Sequence, residues 1–142
     1  MPSTELDNLV GTGQLAKEPP SVAEFAGLVR SGRARLADAR KKTLALESRF
    51  DVGYNAAHAL ALAALRWHGY RPKNRYIVFQ VLAHMLGTPQ PLIRVLAKAH
   101  TARNIAEYEG HLEADERLVE DLVAATEVIA KALEGLAPLK AS

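Results

Sequence analysis

The sequence contains no cysteine in its 142 residues, so disulfide frameworks and thiolate metal sites are excluded. It also lacks a long apolar run. The longest, residues 56–65, is interrupted by His58 and is shorter than the roughly 18 residues that a membrane span needs. The first ten residues do not place an apolar segment after a basic one, as a secretory signal would. These absences predict a cytoplasmic protein without a membrane partner.

Common catalytic motifs are missing as well. The Gly11-Thr12-Gly13 segment is not followed by the lysine of a phosphate-binding loop. There is no Gly-x-Ser-x-Gly elbow, and no two histidines stand four apart around a glutamate as in zinc peptidases. The sequence therefore predicts neither a metal ion nor a cofactor.

The charge is nearly balanced, with 18 Lys and Arg residues against 16 Asp and Glu residues. This balance excludes a densely basic nucleic-acid-binding protein, although the pI of about 9.0 is compatible with a polyanionic partner. Basic side chains concentrate in one stretch: Arg30, Arg33, Arg35, Arg40, Lys41 and Lys42. We interpret this stretch as the solvated face of a helix.

Apolar residues make up 49% of the chain, enough for one globular domain with a sizeable core. They recur at helical spacing, and no segment alternates strictly between apolar and polar residues as a half-buried strand does. Ser21 and Glu24 form the capping box of the first long helix. Five long helices are predicted, at residues 21–47, 49–68, 74–86, 91–109 and 114–133.

These features predict an all-α fold, mainly an antiparallel bundle of about five helices. Residues 1–20 are predicted to be an N-terminal arm, residues 21–136 the bundle, and residues 137–142 a frayed tail. The arm is rich in Gly and Pro, and one short helical turn is predicted at residues 6–10. It either docks on the bundle through Leu9, Val10 and Leu15 or is mobile.

Candidate site residues concentrate at the end of the fourth predicted helix, in the segment His100-Thr-Ala-Arg-Asn-Ile-Ala-Glu-Tyr-Glu-Gly-His111. At about 100° per residue, Arg103 falls inside the apolar arc of this helix, while His100 and Glu107 lie on its edge. A guanidinium on a buried face needs a partner or a wet cavity. Either Glu107 pairs with it or it snorkels to solvent, or it is aimed at a phosphate group.

At these residues the sequence resembles the HEPN superfamily of small helical bundles, over roughly residues 23–133. The second helix, with Phe50, Tyr54 and His58 among many alanines, resembles the family's central helix. The segment Arg103-Asn104-Ile-Ala-Glu-Tyr108 resembles the Arg-containing motif of a HEPN subgroup.

The resemblance implies a homodimer that binds RNA or a nucleotide. It also implies membership of a toxin–antitoxin pair or a module with a nucleotidyltransferase partner. In active HEPN members, which are metal-independent ribonucleases, an Arg and a following His act at the dimer cleft. Here Tyr108 stands at the position of that His. The candidate catalytic residues are therefore Arg103 and Asn104, with Tyr108, His100 or His111 in place of the usual His.

Three functional hypotheses follow from these residues. The first is a HEPN-like dimer that binds RNA or nucleotide at an Arg103 cleft without strong catalysis, because tyrosine is a poor base near neutral pH. The second is an active metal-independent ribonuclease. The third is a purely structural interaction domain in which Arg103 and Glu107 form an internal ion pair. A further group, the aromatic residues Trp67, Tyr70 and Tyr76 with Arg71, Lys73 and Arg75, is a weaker candidate for RNA contact.

Overall fold

Seven helices and two short strands are formed by the residues that the computed structural model describes, 4–112 and 114–139. In chain order the elements are α1 (Thr4–Gly11), β1 (Leu15–Lys17), α2 (Val22–Ala39), α3 (Leu46–Trp67), β2 (Tyr70–Pro72), α4 (Arg75–Gln80), α5 (Leu82–Leu86), α6 (Gln90–Glu109) and α7 (Glu116–Glu134). The predicted all-α helical bundle is confirmed.

Helix α3 lies at the centre of the bundle, with α2 and α7 as its main neighbours. Its alanines at positions 56, 57, 61, 63 and 64 are fully buried, and their small side chains let neighbouring helices approach closely. The closest approach is at Gly32 of α2, where an added Cβ atom would lie 2.6 Å from the Leu60 side chain. Gly32 therefore serves packing, and α2 continues through it without a break.

Two predicted helices have different bounds in the structure. Helix α2 ends at Ala39 rather than near residue 47, and the buried Arg49 donates from Nε to the Ala39 carbonyl over 3.0 Å. The turn that follows places the start of α3 at Leu46, with Ala45 as N-cap, so the predicted start at residue 49 was wrong. The third predicted helix is divided at Val81 into α4 and α5.

The prediction that the chain has no strands was also wrong. Strands β1 and β2 pair antiparallel, with Leu15 opposite Pro72 and Lys17 opposite Tyr70. Each strand has three residues, too few for an alternating pattern to be visible in the sequence. The pairing joins the N-terminal arm to the loop after α3.

The N-terminal arm docks on the bundle. The predicted short helix is present as α1, and Leu6 and Leu15 are buried, while Leu9 and Val10 pack partly against the core. The Tyr70 hydroxyl donates to Asp7 Oδ1 over 2.5 Å. Of the two alternatives, a docked or a mobile arm, the structure therefore shows the docked one for the described part of the arm.

The arm is also held by Arg66, whose side chain is only 1% exposed. Its Nε donates to Glu24 Oε1 over 2.6 Å, and its two terminal nitrogens donate to the carbonyls of Glu18, Pro19 and Tyr70. We call this arrangement the Arg66 clamp. It satisfies a buried charge by tying the arm, α2 and β2 to the end of α3.

At the other end of the chain, the Ala137 carbonyl accepts a hydrogen bond from Trp67 Nε1 over 2.8 Å, so the tail predicted to fray makes at least this contact. Residues 140–142 of that predicted tail lie outside the described residues. Across residues 4–112 and 114–139, no helix combines the length and apolar character needed to cross a bilayer.

Candidate functional site

Helix α6 carries most of the predicted site residues. Its buried face is formed by Ile93, Leu96, Ala99 and Ala102, in agreement with the helical spacing of small and apolar residues in this segment. The Arg103 side chain is 22% exposed and stands at the edge of that face. A guanidinium at this depth keeps contact with water on one side and with the core on the other.

Arg103 has two partners on these two sides. Its Cζ atom lies 5.1 Å from the ring centroid of the fully buried Tyr54 on α3, in the geometry of a cation–π contact. Its Nη2 atom lies 2.8 Å from Glu107 Oε1, one turn along α6. The predicted ion pair is therefore present, and Glu107, which is half exposed, faces the solvent side.

Both ring nitrogens of His100 are hydrogen-bonded, one to the core and one within α6. Its Nδ1 atom lies 3.0 Å from the Tyr54 hydroxyl, and its Nε2 atom lies 3.2 Å from the amide nitrogen of Asn104. An amide nitrogen can only donate, so with this amide orientation Nε2 accepts and Nδ1 carries the proton. Both nitrogens of the neutral ring are used, and His100 has no free lone pair with which to act as a general base.

Burial favours uncharged rings at this place, and for the two histidines positive charge acts in the same direction. Burial, then the charges of Arg103 and Arg75, lowers the pKa of His100 below 6.5, while Glu107 acts in the opposite direction. On α3, burial first and then Arg75, Arg103 and His100 lower the pKa of His58 to about 4. Burial raises the pKa of Tyr54 above 10.0, although Arg103 and Arg75 oppose it.

Arg75 is the second guanidinium at this place. It is the first residue of α4, which begins there because the Asn74 side chain accepts a hydrogen bond from the Ile77 amide over 2.9 Å. Arg75 is exposed, and its charge acts on Tyr54, His58 and His100 alike. Tyr54, Arg75, His100, Arg103 and Asn104 form what we call the arginine notch.

The notch contains three of the five predicted catalytic residues, namely His100, Arg103 and Asn104. Tyr108 is not among them. It lies five residues after Arg103, about 140° away around the helix, and is 88% exposed. The position of the usual family histidine is thus turned away from Arg103 in this chain.

The fifth predicted catalytic residue, His111, lies in a groove that Arg103 also lines. Gly110 ends α6 with φ of 77°, a conformation that glycine adopts readily, and the chain turns back. His111 and Arg103 then line one groove of about 320 Å³ together with Glu47, Asp51 and Glu107. This acidic groove has three carboxylates against one guanidinium, a balance that weakens its attraction for phosphate.

The structure separates the members of the aromatic and basic group that was the weaker candidate for RNA contact. Arg71 Nη2 lies 2.6 Å from Glu18 Oε2 and 2.8 Å from Glu24 Oε2, so its charge is used beside the Arg66 clamp. Tyr70 is buried on Asp7. Of that group, Arg75 and Tyr76 belong to α4 and lie beside α6. The Tyr76 ring centroid is 5.0 Å from that of His100.

The part that α3 and α4 play in the notch was not predicted from the sequence. Tyr54 is a core residue by its burial, but its hydroxyl is also the partner of His100. Tyr54 and His58 stand four apart and so share a face of α3. That spacing was visible in the sequence, whereas their distance from α6 was not.

In the described part of the chain, no three His, Cys, Asp or Glu side chains are grouped so that they could hold a metal ion. Comparison with protein-family models, curated proteins and solved structures gives no significant match. The HEPN resemblance therefore stays a prediction, and the function is inferred from the notch itself.

Proposed function

We propose that the protein binds a phosphate group of RNA or of a nucleotide in the arginine notch, without strong catalysis. One observation carries this proposal: the Arg103 guanidinium of α6 lies 5.1 Å from the Tyr54 ring centroid, and Arg75 of α4 acts electrostatically on the same Tyr54 and on His100. Two guanidinium groups close to one aromatic pair are suited to a shared anion, because each can donate several hydrogen bonds to phosphate oxygens.

The Arg103–Glu107 ion pair sets the resting state of this site. An ion pair between residues four apart on a helix surface is worth roughly 0.3–0.5 kcal/mol, and Glu107 is half exposed, so a phosphate group can displace Glu107 at little cost. The same pair also fits the structural hypothesis, in which Arg103 binds no ligand. The two hypotheses differ in whether removal of Arg103 affects a ligand.

Catalysis by His100 is disfavoured by its two hydrogen bonds, to Tyr54 and Asn104. A second candidate function, a metal-independent ribonuclease, rests on the shared groove of Arg103 and His111. There His111 would take the proton of a ribose 2′-hydroxyl while Arg103 holds the adjacent phosphate. The carboxylates of that groove oppose this arrangement, so we rank it second.

The test is a titration of a labelled single-stranded RNA in EDTA, followed by fluorescence anisotropy. We expect Arg75→Ala and Arg103→Ala each to raise the Kd about tenfold, the loss of roughly one charge-assisted hydrogen bond. Arg117→Ala is a matched control, since Arg117 also faces an acidic residue one turn on, Asp121 at 3.6 Å. Equal effects of all three substitutions would mean that RNA binding depends only on the overall positive charge, which would refute the proposal.

Glu107→Gln provides the opposite change. Removing the competing carboxylate frees Arg103, so we expect tighter RNA binding, whereas the structural hypothesis expects lower stability and no ligand effect. Gel analysis of the same RNA samples tests the second candidate. Cleavage that depends on both Arg103 and His111 would replace binding by ribonuclease activity as the better description.

Homodimer formation, and a nucleotidyltransferase or antitoxin partner, remain part of this proposal through the HEPN resemblance alone. A two-fold interface would place the same surface patch of each copy opposite the other. Light scattering of the purified protein decides the first point.

A further inference from the structure

A second cavity adjoins the arginine notch, between α4 and the first half of α6. It encloses about 230 Å³. Its base is formed by Phe79 and Ile93, which are 1% and 8% exposed, and one wall is the ring of Tyr76, which is 37% exposed. Pockets for drug-sized ligands are roughly 300–1,000 Å³, so this cavity has room for one planar ring system.

The rim of the cavity is polar. Gln80 at the end of α4, and Gln90 and Arg94 on α6, surround its opening and are exposed. A glutamine amide both donates and accepts, which matches the paired donor and acceptor groups on the edge of a nucleobase, and arginine can donate two parallel hydrogen bonds to guanine. An apolar floor, an aromatic wall and an amide rim are together what recognition of an unpaired base requires.

Tyr76 connects this cavity to the notch. Its ring lines the cavity and also contacts His100, at 5.0 Å between centroids and 36° between planes. Arg75 precedes it in the chain. On α6, Arg94, Ala97 and His100 follow one another in three-residue steps, each about 60° further around the helix, so that Ala97 lies between the other two.

The spacing between the two places is short. Ala97, which lines the cavity, and Arg103 of the notch are six residues apart, about 9 Å along the helix axis and about 120° around it. Contacts bridge this angle: Arg103 lies on the Tyr54 ring, the Tyr54 hydroxyl is hydrogen-bonded to His100, and the His100 ring contacts Tyr76 at the cavity. Phosphate and base of one nucleotide can therefore be held at the same time.

From this arrangement we infer that the cavity between α4 and α6 binds the nucleobase of the nucleotide whose phosphate lies in the arginine notch. The inference rests on the proposed function. It adds that the ligand is recognised by its base, with Tyr76 as the stacking surface and Gln80, Gln90 and Arg94 as the groups that read the base edge. A phosphate or a sugar–phosphate strand without bases would use the notch alone.

The test compares a short adenine strand with an abasic strand of equal length, and AMP with inorganic phosphate. We expect Tyr76→Leu to raise the Kd of the adenine strand about tenfold, as loss of one base–aromatic stack does, and to leave the abasic strand unchanged. Tyr108→Leu, an exposed tyrosine at the other end of α6, is the matched control and should change neither. An equal effect of Tyr76→Leu on both strands, or no effect, overturns the inference.

Gln90→Ala tests the rim without touching the core, since this side chain is exposed. It should change the ratio of affinities for adenine and uracil strands, and an unchanged ratio for Gln80→Ala, Gln90→Ala and Arg94→Ala would overturn base reading. If Tyr76→Leu abolishes the binding of AMP, a free nucleotide is a ligand of the protein. If Tyr76→Leu weakens only the binding of the adenine strand, the ligand is RNA.

Failure of the proposed function has a different signature. In that case Arg75→Ala and Arg103→Ala leave the binding of the abasic strand unchanged. Failure of the present inference leaves those arginine effects in place and abolishes only the difference between base-bearing and abasic strands. Circular dichroism of each variant, compared with the unsubstituted protein, verifies that the fold is retained.

Discussion

His58 is the residue whose charge depends most directly on the fold. It lies on α3, edge-on to Phe79 at 6.1 Å between ring centroids, and faces the charges of Arg75 and Arg103. Burial is the main reason why its pKa is lowered to about 4. The folded protein therefore holds a neutral imidazole that the unfolded chain would protonate near pH 6.5.

This difference predicts a pH-dependent stability. Because the folded pKa lies below the unfolded one, the contribution of His58 is fully present above pH 6.5 and is lost as the pH falls toward 4. The loss is at most about 3 kcal/mol, from 1.36 kcal/mol per pKa unit. Urea unfolding at a series of pH values should show a flatter profile for His58→Gln than for the unsubstituted protein. Parallel profiles would contradict the assignment.

The sequence predicted the roles of some site residues and not of others. Arg103 and Glu107 stand four apart on a helix, so their pairing follows from local geometry. The contact of His100 with Tyr54 spans 46 positions, and no local pattern encodes it. The conformation of Gly110, which brings His111 into the acidic groove, is another feature that spacing alone left open.

Among the elements, the α2–α3 contact depends on Gly32. Replacing it with alanine places a Cβ atom 2.6 Å from Cγ and Cδ2 of the buried Leu60. We expect Gly32→Ala to lower the free energy of unfolding by about 1–3 kcal/mol through overpacking, reduced by up to about 1 kcal/mol because alanine favours the helix. Thermal or urea unfolding measures the change.

Gly27 on the same helix is the control for this substitution. An added Cβ there meets only the Arg30 Nη2 atom, at 3.9 Å, so alanine gains helix propensity without a clash. Gly27→Ala should raise stability by about 0.5–1 kcal/mol. If both substitutions stabilise the protein, the close contact with Leu60 is not the reason for glycine at position 32.

Element types were predicted better than element ends. The helices were visible because apolar residues recur over many turns, and caps such as Ser21 mark their starts, where the hydroxyl accepts from the Glu24 amide over 3.2 Å. The end of α2 at Ala39 is fixed instead by Arg49, ten residues later. The strands are held by pairing across more than fifty positions, which a local pattern does not contain.

For the molecule as a whole, the Arg66 clamp ties the described part of the N-terminal arm, residues 4–20, to the bundle. We expect Arg66→Met to lower the free energy of unfolding by about 3 kcal/mol or more. It leaves the buried Tyr70 carbonyl and the partly buried carbonyls of Glu18 and Pro19 without this donor, and it leaves Glu24 with one partner fewer. Hydrogen exchange of α1 and β1 should rise together with the loss of global stability.

Arg40→Met serves as the comparison, because Arg40 also joins two helices, through Glu127 at 2.9 Å. Both partners of that pair are about half exposed, so its removal should cost less than about 1 kcal/mol. Similar losses for the two substitutions would mean that the burial of Arg66 contributes little.

The acidic groove has a consequence for the direction in which a ligand can extend. The notch lies on one side of Arg103, and Glu47, Asp51 and Glu107 lie on the other. A nucleic-acid strand that continued past Arg103 would bring further phosphates against these carboxylates. For the proposed ligand, the arrangement therefore favours a strand terminus or a single nucleotide over the interior of a long chain. The protein would then recognise the ends of strands rather than the sequence along them.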